Sequence, residues 1–243
     1  KAAIVGLNGA GKTTLLRIIV GQLEPDGGVV AFAKDKTFGY LAQDSAVNSD
    51  NTIYEELLSV KQHLLDLENQ IRQAELSMKQ LSGDALENLM QKYADLTHRF
   101  EMENGYAYKS ELTGVLKGLG FTEDEFQKPV STLSGGQKTR VALGKLLLQK
   151  PDLIILDEPT NHLDMSSISW LETYLLNYKG SVLIVSHDRY FIEKFAERIW
   201  LLEDGKIRDF PCGYQKYRSI LEHEAAAVSY THLRAHETPE HLV

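Results

Sequence analysis

The sequence predicts an α/β fold with an inserted pair of long helices, and three observations support this. Short apolar runs of strand length include Leu153–Leu156 and Val182–Val185. Helix-forming runs separate such segments. Residues 53–104 carry apolar side chains at a regular heptad spacing, which is typical of long helices that pack together. No run approaches the roughly 18–20 apolar residues that a bilayer span requires.

Length and composition narrow the class of protein. The 243 residues, 27.3 kDa, are 43% hydrophobic and 25% charged, as in a soluble globular protein of one large domain or a domain with a subdomain. The 26 basic and 34 acidic residues give a net charge of −8, which argues against a dedicated nucleic-acid surface but leaves a local basic patch open. Cys212 is the single cysteine, which excludes an internal disulfide and fits a reducing cytosol.

The first residues predict a strand, a glycine-rich loop and a helix. Lys1–Val5 is apolar after its first residue and reads as the end of a strand, residues 6–13 (GLNGAGKT) match G-x-x-x-x-G-K-[ST], and Thr14–Val20 is helix-like. Glycines let backbone N–H groups point at a phosphate chain, and the helix N-terminus adds positive partial charge. Lys12 would neutralise the β- and γ-phosphates, and the Thr13 hydroxyl would ligate Mg²⁺. The predicted contacts to a nucleoside triphosphate are Gly6, Leu7, Asn8, Gly9, Ala10, Gly11, Lys12, Thr13 and Thr14.

Two carboxylates follow the apolar run at 153–156. Open α/β sheets bind ligands at the carboxyl ends of their strands, which is where Asp157 and Glu158 fall. Asp157 would hold Mg²⁺, while Glu158, one residue further along, would project to a different side and polarise the attacking water. The alternative is that both are solvated acids of a loop.

A third motif precedes the helix-forming run Lys138–Gln149. In residues 133–137 (LSGGQ), Ser134 is a plausible helix cap. The two glycines that follow it have no side chains, so they leave the first backbone amides of the helix uncovered. Such a helix start suits a second anion site. If it lies at the far end of a helical subdomain, this site cannot bind the phosphates that the glycine-rich loop of residues 6–13 holds. It could also be a simple helix start.

Together these motifs resemble the ATP-binding cassette, and more narrowly the first cassette of the ABC-F subfamily, whose soluble members carry two cassettes in one chain. The narrower resemblance rests on residues 158–164 (EPTNHLD), 185–191 (VSHDRYF) and 213–217 (GYQKY), and it covers about Lys1–Glu224. It implies a P-loop NTPase core of the ABC ATPase type, with a helical subdomain and an inserted antiparallel helical hairpin, the arm.

The resemblance also implies roles for single residues. Gln43 senses the γ-phosphate and completes the Mg²⁺ site with Thr13 and Asp157. Glu158 and His187 are catalytic, with His187 orienting the water. The signature Leu133, Ser134, Gly135, Gly136 and Gln137 closes over the ATP of the opposite cassette. The cassettes sense each other through Asn161, His162, Leu163 and Asp164.

Three of these residues have simpler interpretations. Gln43 follows the apolar run Phe38–Leu41 and could be a polar strand end. His187 follows Val182–Val185 and could be structural. For His162, packing is as plausible as chemistry.

The segment between Gln43 and the signature predicts the arm. Apolar residues stepping by 3 and 4 from Leu57 to Leu81 predict a first helix of about 29 residues, on the order of 40 Å long. Residues 82–84 break it, and a second stripe runs from Leu86 to Phe100 after a helix start at Asp84. Residues 53–104 hold five basic and ten acidic side chains, so a ribosome contact, implied by resemblance alone, would involve protein or a locally basic face.

The remaining expectations concern boundaries. We expect ATPase core at 1–52, lacking its front, arm at 53–104, signature subdomain at 105–150 and core again at 151–215. A hairpin turning at Asp204–Gly205 falls in the last part. An inter-cassette linker would begin at 216–227, and 228–243 is expected to be a non-native tail, without fold from Ser229 on.

The resemblance implies a cytoplasmic Mg²⁺-dependent ATPase, active with a second cassette and coupling closure of paired cassettes to a conformational change at the ribosome. The alternative is the ATP-binding subunit of a membrane transporter, which the long arm disfavours. A further alternative is a piece that has no activity by itself.

Overall fold

The computed structural model describes residues 1–43, 45 and 47–236, with the backbone alone described for 227–236. In chain order the strands are β1 Ala2–Val5, β2 Phe38–Leu41, β3 Leu153–Asp157, β4 Ser181–Val185, β5 Arg198–Glu203 and β6 Lys206–Phe210. The helices are α1 Lys12–Ile19, α2 Ile53–Leu58, α3 Gln62–Met78, α4 Asp84–Met102, α5 Tyr108–Gly118, α6 Gly135–Gln149, α7 Met165–Asn177, α8 Arg189–Phe195 and α9 Tyr214–His236.

These elements form two compact units. The first unit contains Lys1–Ala42, Asp152–Thr160 and the described residues from Glu172 onward. The second contains Gln43–Pro151 and Asn161–Leu171. The expected boundary at residue 52 therefore differs, because 43–52 lie in the second unit, as do residues 161–171.

The first unit is built on a six-stranded sheet in the order β2-β3-β4-β1-β5-β6. All neighbours are parallel except β5 and β6, which form the predicted hairpin. Asp204 and Gly205 have φ of 49° and 70°, the left-handed pair that a type I′ turn requires. Ile4, Leu16 and Ile155 belong to the core between the sheet and α1. The predicted α/β class is confirmed.

The second unit is helical, and here the expected arm differs. The predicted single first helix is wrong: α2 ends at Leu58, a 3₁₀ turn spans Ser59–Lys61, and α3 ends at Met78. The apolar seam has two partners, because α2 packs against α6 whereas α3 packs against α4. One straight helix cannot face both. The second arm helix begins at Asp84, as predicted.

A buried ion pair fixes α2 on α6. The Glu56 carboxylate bonds the Lys145 ammonium and accepts a hydrogen bond from the Asn51 amide at 3.2 Å. Burial opposes ionisation of Glu56, but the hydrogen bonds from Lys145, Ser49 and Asn51 hold its pKa below the usual value.

The end of the chain also differs from expectation. Helix α9 continues to His236, so the absence of fold expected from Ser229 onward is wrong for residues 229–236. Its middle part is rich in alanine, leucine and glutamate, which favour helix. Residues 237–243, the rest of that expectation, lie outside the described residues. Within the described part of the chain, every helix is too short or too polar to cross a bilayer.

Candidate active site

The loop between β1 and α1 is shaped by its glycines. Gly9 and Gly11 have φ of 81° and 95°, left-handed values that favour glycine, and Gly11 precedes α1 without covering its first amides. A Cβ on Gly6 would collide with the backbone carbonyl oxygen of Leu202. The loop therefore presents backbone N–H groups and the N-terminus of α1 on one side, as an anion site requires.

Lys12 is the cation of this loop. It is only 7% exposed, and its Nζ donates to the carbonyl oxygens of Gly6 and Leu7, both at 2.9 Å. Burial lowers the pKa of Lys12, while the carboxylates of Glu158 and Asp157 act in the opposite direction. The ammonium is thus held inside the loop, close to both acidic residues.

The two carboxylates at the end of β3 take different directions. Asp157 is the last residue of the strand and 1% exposed. Glu158 follows in the left-handed region, with φ of 50°, and its N–H donates to the Val185 carbonyl oxygen at 2.9 Å. This conformation is costly for a residue with a Cβ, on the order of 1–2 kcal/mol. It turns Glu158 toward β4.

Glu158 contacts His187 there. The backbone N–H of His187 donates to Oε2 at 3.2 Å, and His187 Nε2 lies 3.5 Å from Oε1. The Glu158 side chain is 11% exposed and that of His187 52%. Burial raises the pKa of Glu158, Asp157 adds to the rise, and His187 and Lys12 oppose it. A buried carboxylate of raised pKa, facing a half-exposed imidazole, is equipped to accept a proton from a bound water.

A capping network holds His187 in place, and the sequence motifs described above do not include it. Asp188 Oδ1 accepts the N–H groups of Tyr190 and Phe191 at 3.0 and 3.1 Å, and thereby caps α8. The N–H of Asp188 donates to Ser186 Oγ at 3.0 Å. An aspartate just before an apolar helical run is a recognisable N-cap, so this part could have been predicted.

The predicted metal ligands lie in both units. Thr13, the second residue of α1, is partly buried, and Asp157 lies at the end of β3 in the same unit. Gln43 belongs to the second unit, exposed, two residues after β2. Hydroxyl, carboxylate and amide oxygens fit Mg²⁺, which also takes phosphate oxygens and water. Thr14 is exposed on α1.

The signature forms the start of α6. Ser134 Oγ accepts the Gln137 N–H at 3.3 Å, and Gln137 Oε1 accepts the Ser134 N–H at 3.0 Å, a capping box that confirms the predicted cap. Ser134 and Gly135 are exposed, while Leu133 is buried.

The loop at residues 161–164 packs on this helix start. A Cβ on Gly136 would lie 3.3 Å from His162 Nδ1, so the imidazole rests against that glycine. Asp164 Oδ1 accepts the Ser167 N–H at 2.8 Å, and this bond lowers the pKa of Asp164. Asn161 is exposed and Leu163 half-buried. Packing is therefore part of what His162 does.

Comparison with known proteins gives one family. The family model described as ABC transporter matches residues 1–161. YdiF of Bacillus subtilis is 47% identical over 217 residues, 89% of this chain and 34% of that protein. ABC transporter F family member 5 of Arabidopsis thaliana is 36% identical, covering 89% of this chain and 32% of its own.

The energy-dependent translational throttle protein EttA of Mycobacterium tuberculosis is 39% identical over 93% of this chain and 39% of its own. The chain thus spans about a third of the length of these relatives. A solved ATP-binding subunit of an ABC transporter superposes with a TM-score of 0.62 over 91% of this chain and 81% of its own. At 21% identity this likeness concerns the fold alone.

Proposed function

The chain belongs to the ABC transporter family, and from this premise we propose that it binds ATP at residues 6–14 and hydrolyses it with Glu158 as general base. The observation that carries the proposal is the contact of the largely buried Glu158 with the half-exposed His187 at the end of β3, in the unit that also holds Lys12. ATP is the substrate, and water is the nucleophile.

Each side chain has a separate task in the proposed reaction. The loop amides and Lys12 hold the β- and γ-phosphates, exchanging the carbonyl contacts of Lys12 for phosphate oxygens. Glu158 Oε1 takes the proton of the attacking water, and His187 Nε2 orients that water and contacts the γ-phosphate. Thr13, Asp157 and Gln43 would hold Mg²⁺, which supplies charge neutralisation on the phosphates.

We propose further that turnover requires a second cassette. Leu133–Gln137 would close over the ATP of the opposite cassette, and Asn161–Asp164 would contact that cassette. The exposure of Ser134 and Gly135 supports a contact with an opposite cassette, because these two residues would be covered if they packed against their own unit.

The proposed output is a conformational change delivered to the ribosome in the cytoplasm. The name of EttA as a translational throttle supports a role in translation. The arm formed by α3 and α4 supports it over a transporter subunit, since paired helices of this length resemble the ABC-F arm.

Ribosome co-sedimentation tests the proposed output. The Glu158→Gln chain should bind ATP without hydrolysing it and so stay in the closed form. We expect it to sediment with ribosomes in ATP and to remain in the supernatant in ADP, with Lys12→Ala as the control that fails in both. Equal sedimentation in ATP and ADP, or none, would refute the ribosomal role.

A further inference from the structure

A cavity of about 260 Å³ lies on the arm, between α3, α4 and residues 105–109. We call it the arm pocket. Its walls are mostly aromatic and acidic, and the proposed ATP chemistry uses none of its residues. The volume is below the roughly 300–1,000 Å³ of sites for drug-sized molecules, so it suits a single side chain.

One end of the arm pocket already holds a cation of the chain itself. The Tyr108 hydroxyl donates to Glu68 Oε2 at 2.6 Å. Lys109 Nζ lies 2.9 Å from Glu68 Oε1 and 5.3 Å from the centre of the Tyr108 ring. A carboxylate, a phenol and an aromatic face thus surround an ammonium, combining a charge-assisted hydrogen bond with a cation–π contact.

The other end repeats this arrangement without the cation. Glu75 lies seven residues after Glu68, two turns along the same face of α3, and its Oε1 accepts the Tyr93 hydroxyl at 3.0 Å. The ring of Tyr106, 73% exposed, is perpendicular to the ring of Phe100, with the two ring centres 5.1 Å apart. Among the residues that the structure describes, no lysine, arginine or histidine nitrogen lies within 4.0 Å of the Glu75 carboxylate.

We propose that the arm pocket binds an arginine or lysine side chain of a basic polypeptide segment, with its cation between Glu75, Tyr93 and Tyr106. The surrounding charge agrees, because residues 53–104 carry ten acidic and five basic side chains. Such a surface attracts a cationic peptide and repels RNA phosphates. The inference goes beyond the proposed function and does not rest on it.

Fluorescence anisotropy with the full chain tests the site at about 50 mM salt. The probe is a fluorescein-labelled peptide of five Arg-Gly repeats, and its partner carries citrulline, which keeps the shape of arginine and removes the charge. We expect the arginine peptide alone to bind. Glu75→Gln and Tyr106→Ala should each weaken binding about tenfold. Glu101→Gln, the same charge change at an exposed position outside the pocket, should alter it less than twofold.

Four results would overturn the proposal. The first is no binding of the arginine peptide. The second is an equal loss in Glu75→Gln and Glu101→Gln, which would indicate a general field effect. The third is undiminished binding of the citrulline peptide. The fourth is that a 12-nucleotide oligouridine binds more tightly than the arginine peptide and that Tyr106→Ala abolishes this binding. That result would assign the pocket to base stacking. Far-UV circular dichroism checks that both pocket variants fold, and the exposed Tyr106 leaves little reason for failure.

Discussion

Lys12 combines burial, charge and a short reach to the loop carbonyls. Its Nζ donates hydrogen bonds to the carbonyl oxygens of Gly6 and Leu7. An incoming phosphate would therefore replace these neutral acceptors with charged ones. Hydrogen bonds to charged groups contribute roughly 1.5–3 kcal/mol each.

Lys12→Ala should weaken ATP binding by at least about tenfold, because the phosphates lose their one buried cation from this loop. Isothermal titration calorimetry measures it. Lys34→Ala is the matched control, since Lys34 is exposed in the same unit, and it should bind ATP as the parent chain does. Equal affinities of Lys12→Ala and Lys34→Ala would show that the loop does not hold the phosphates.

The burial of Glu158 makes the stability of the fold depend on pH. Burial raises its folded pKa above the value of about 4.5 in the unfolded chain, so the ionised carboxylate destabilises the fold at neutral pH. That cost is present above the folded pKa and absent below pH 4.5. Glu158→Gln should therefore raise the thermal midpoint at pH 7, and the gain should vanish as the pH falls below 4.5.

Differential scanning calorimetry across this pH range makes the measurement. The exposed Glu24 supplies the control, since Glu24→Gln should leave the midpoint unchanged at every pH. A Glu158→Gln variant less stable than the parent at pH 7 would mean that the contact with His187 outweighs the burial of charge.

At the scale of elements, helix α5 contains two glycines whose replacement by alanine should have opposite effects on stability. Gly114 has open space where a Cβ would lie, whereas a Cβ on Gly118 would collide with the indole of Trp170. Gly114→Ala should stabilise the chain by about 0.5–1 kcal/mol through helix propensity. Gly118→Ala should destabilise it by about 1–3 kcal/mol through overpacking.

Urea denaturation of the two variants measures both effects under identical conditions, and each serves as the control for the other. Stabilisation of both variants would mean that Trp170 moves away from Gly118→Ala without cost, and destabilisation of both would mean that helix propensity does not decide the effect at Gly114.

The sequence predicts local motifs well because each depends on neighbouring residues. The loop at 6–13, the Ser134 cap and the Asp204–Gly205 turn follow from residue types at short spacing. The contact between Glu158 and His187 depends on the pairing of β3 with β4, which places Asp157 beside Val185. That register is long-range, so the spacing of the residues could not supply it.

The arm shows a different limit. The sequence predicts its heptad seam, but the seam alone does not indicate which helix packs against it. In the structure, α6 packs against α2 and α4 packs against α3. The break at Ser59–Lys61 follows from this change of partner. The arm pocket could not be predicted from the sequence either. Its lining residues Glu68, Tyr93 and Tyr108 belong to three different helices, which only the folded structure brings together.

At the scale of the whole molecule, the predicted ATP contacts belong to both units. Residues 6–14, Asp157, Glu158 and His187 lie in the first unit, and Gln43 and the signature lie in the second. The chain spans about a third of the length of its relatives.

The most direct test compares phosphate release and ATP binding of the parent chain and Glu158→Gln, at a concentration that lets two copies pair. Loss of the general base should lower turnover by about 10²–10⁴-fold, while ATP affinity stays within about twofold. Equal phosphate release by an active parent chain and by Glu158→Gln would contradict the assignment of Glu158 as the residue that activates water.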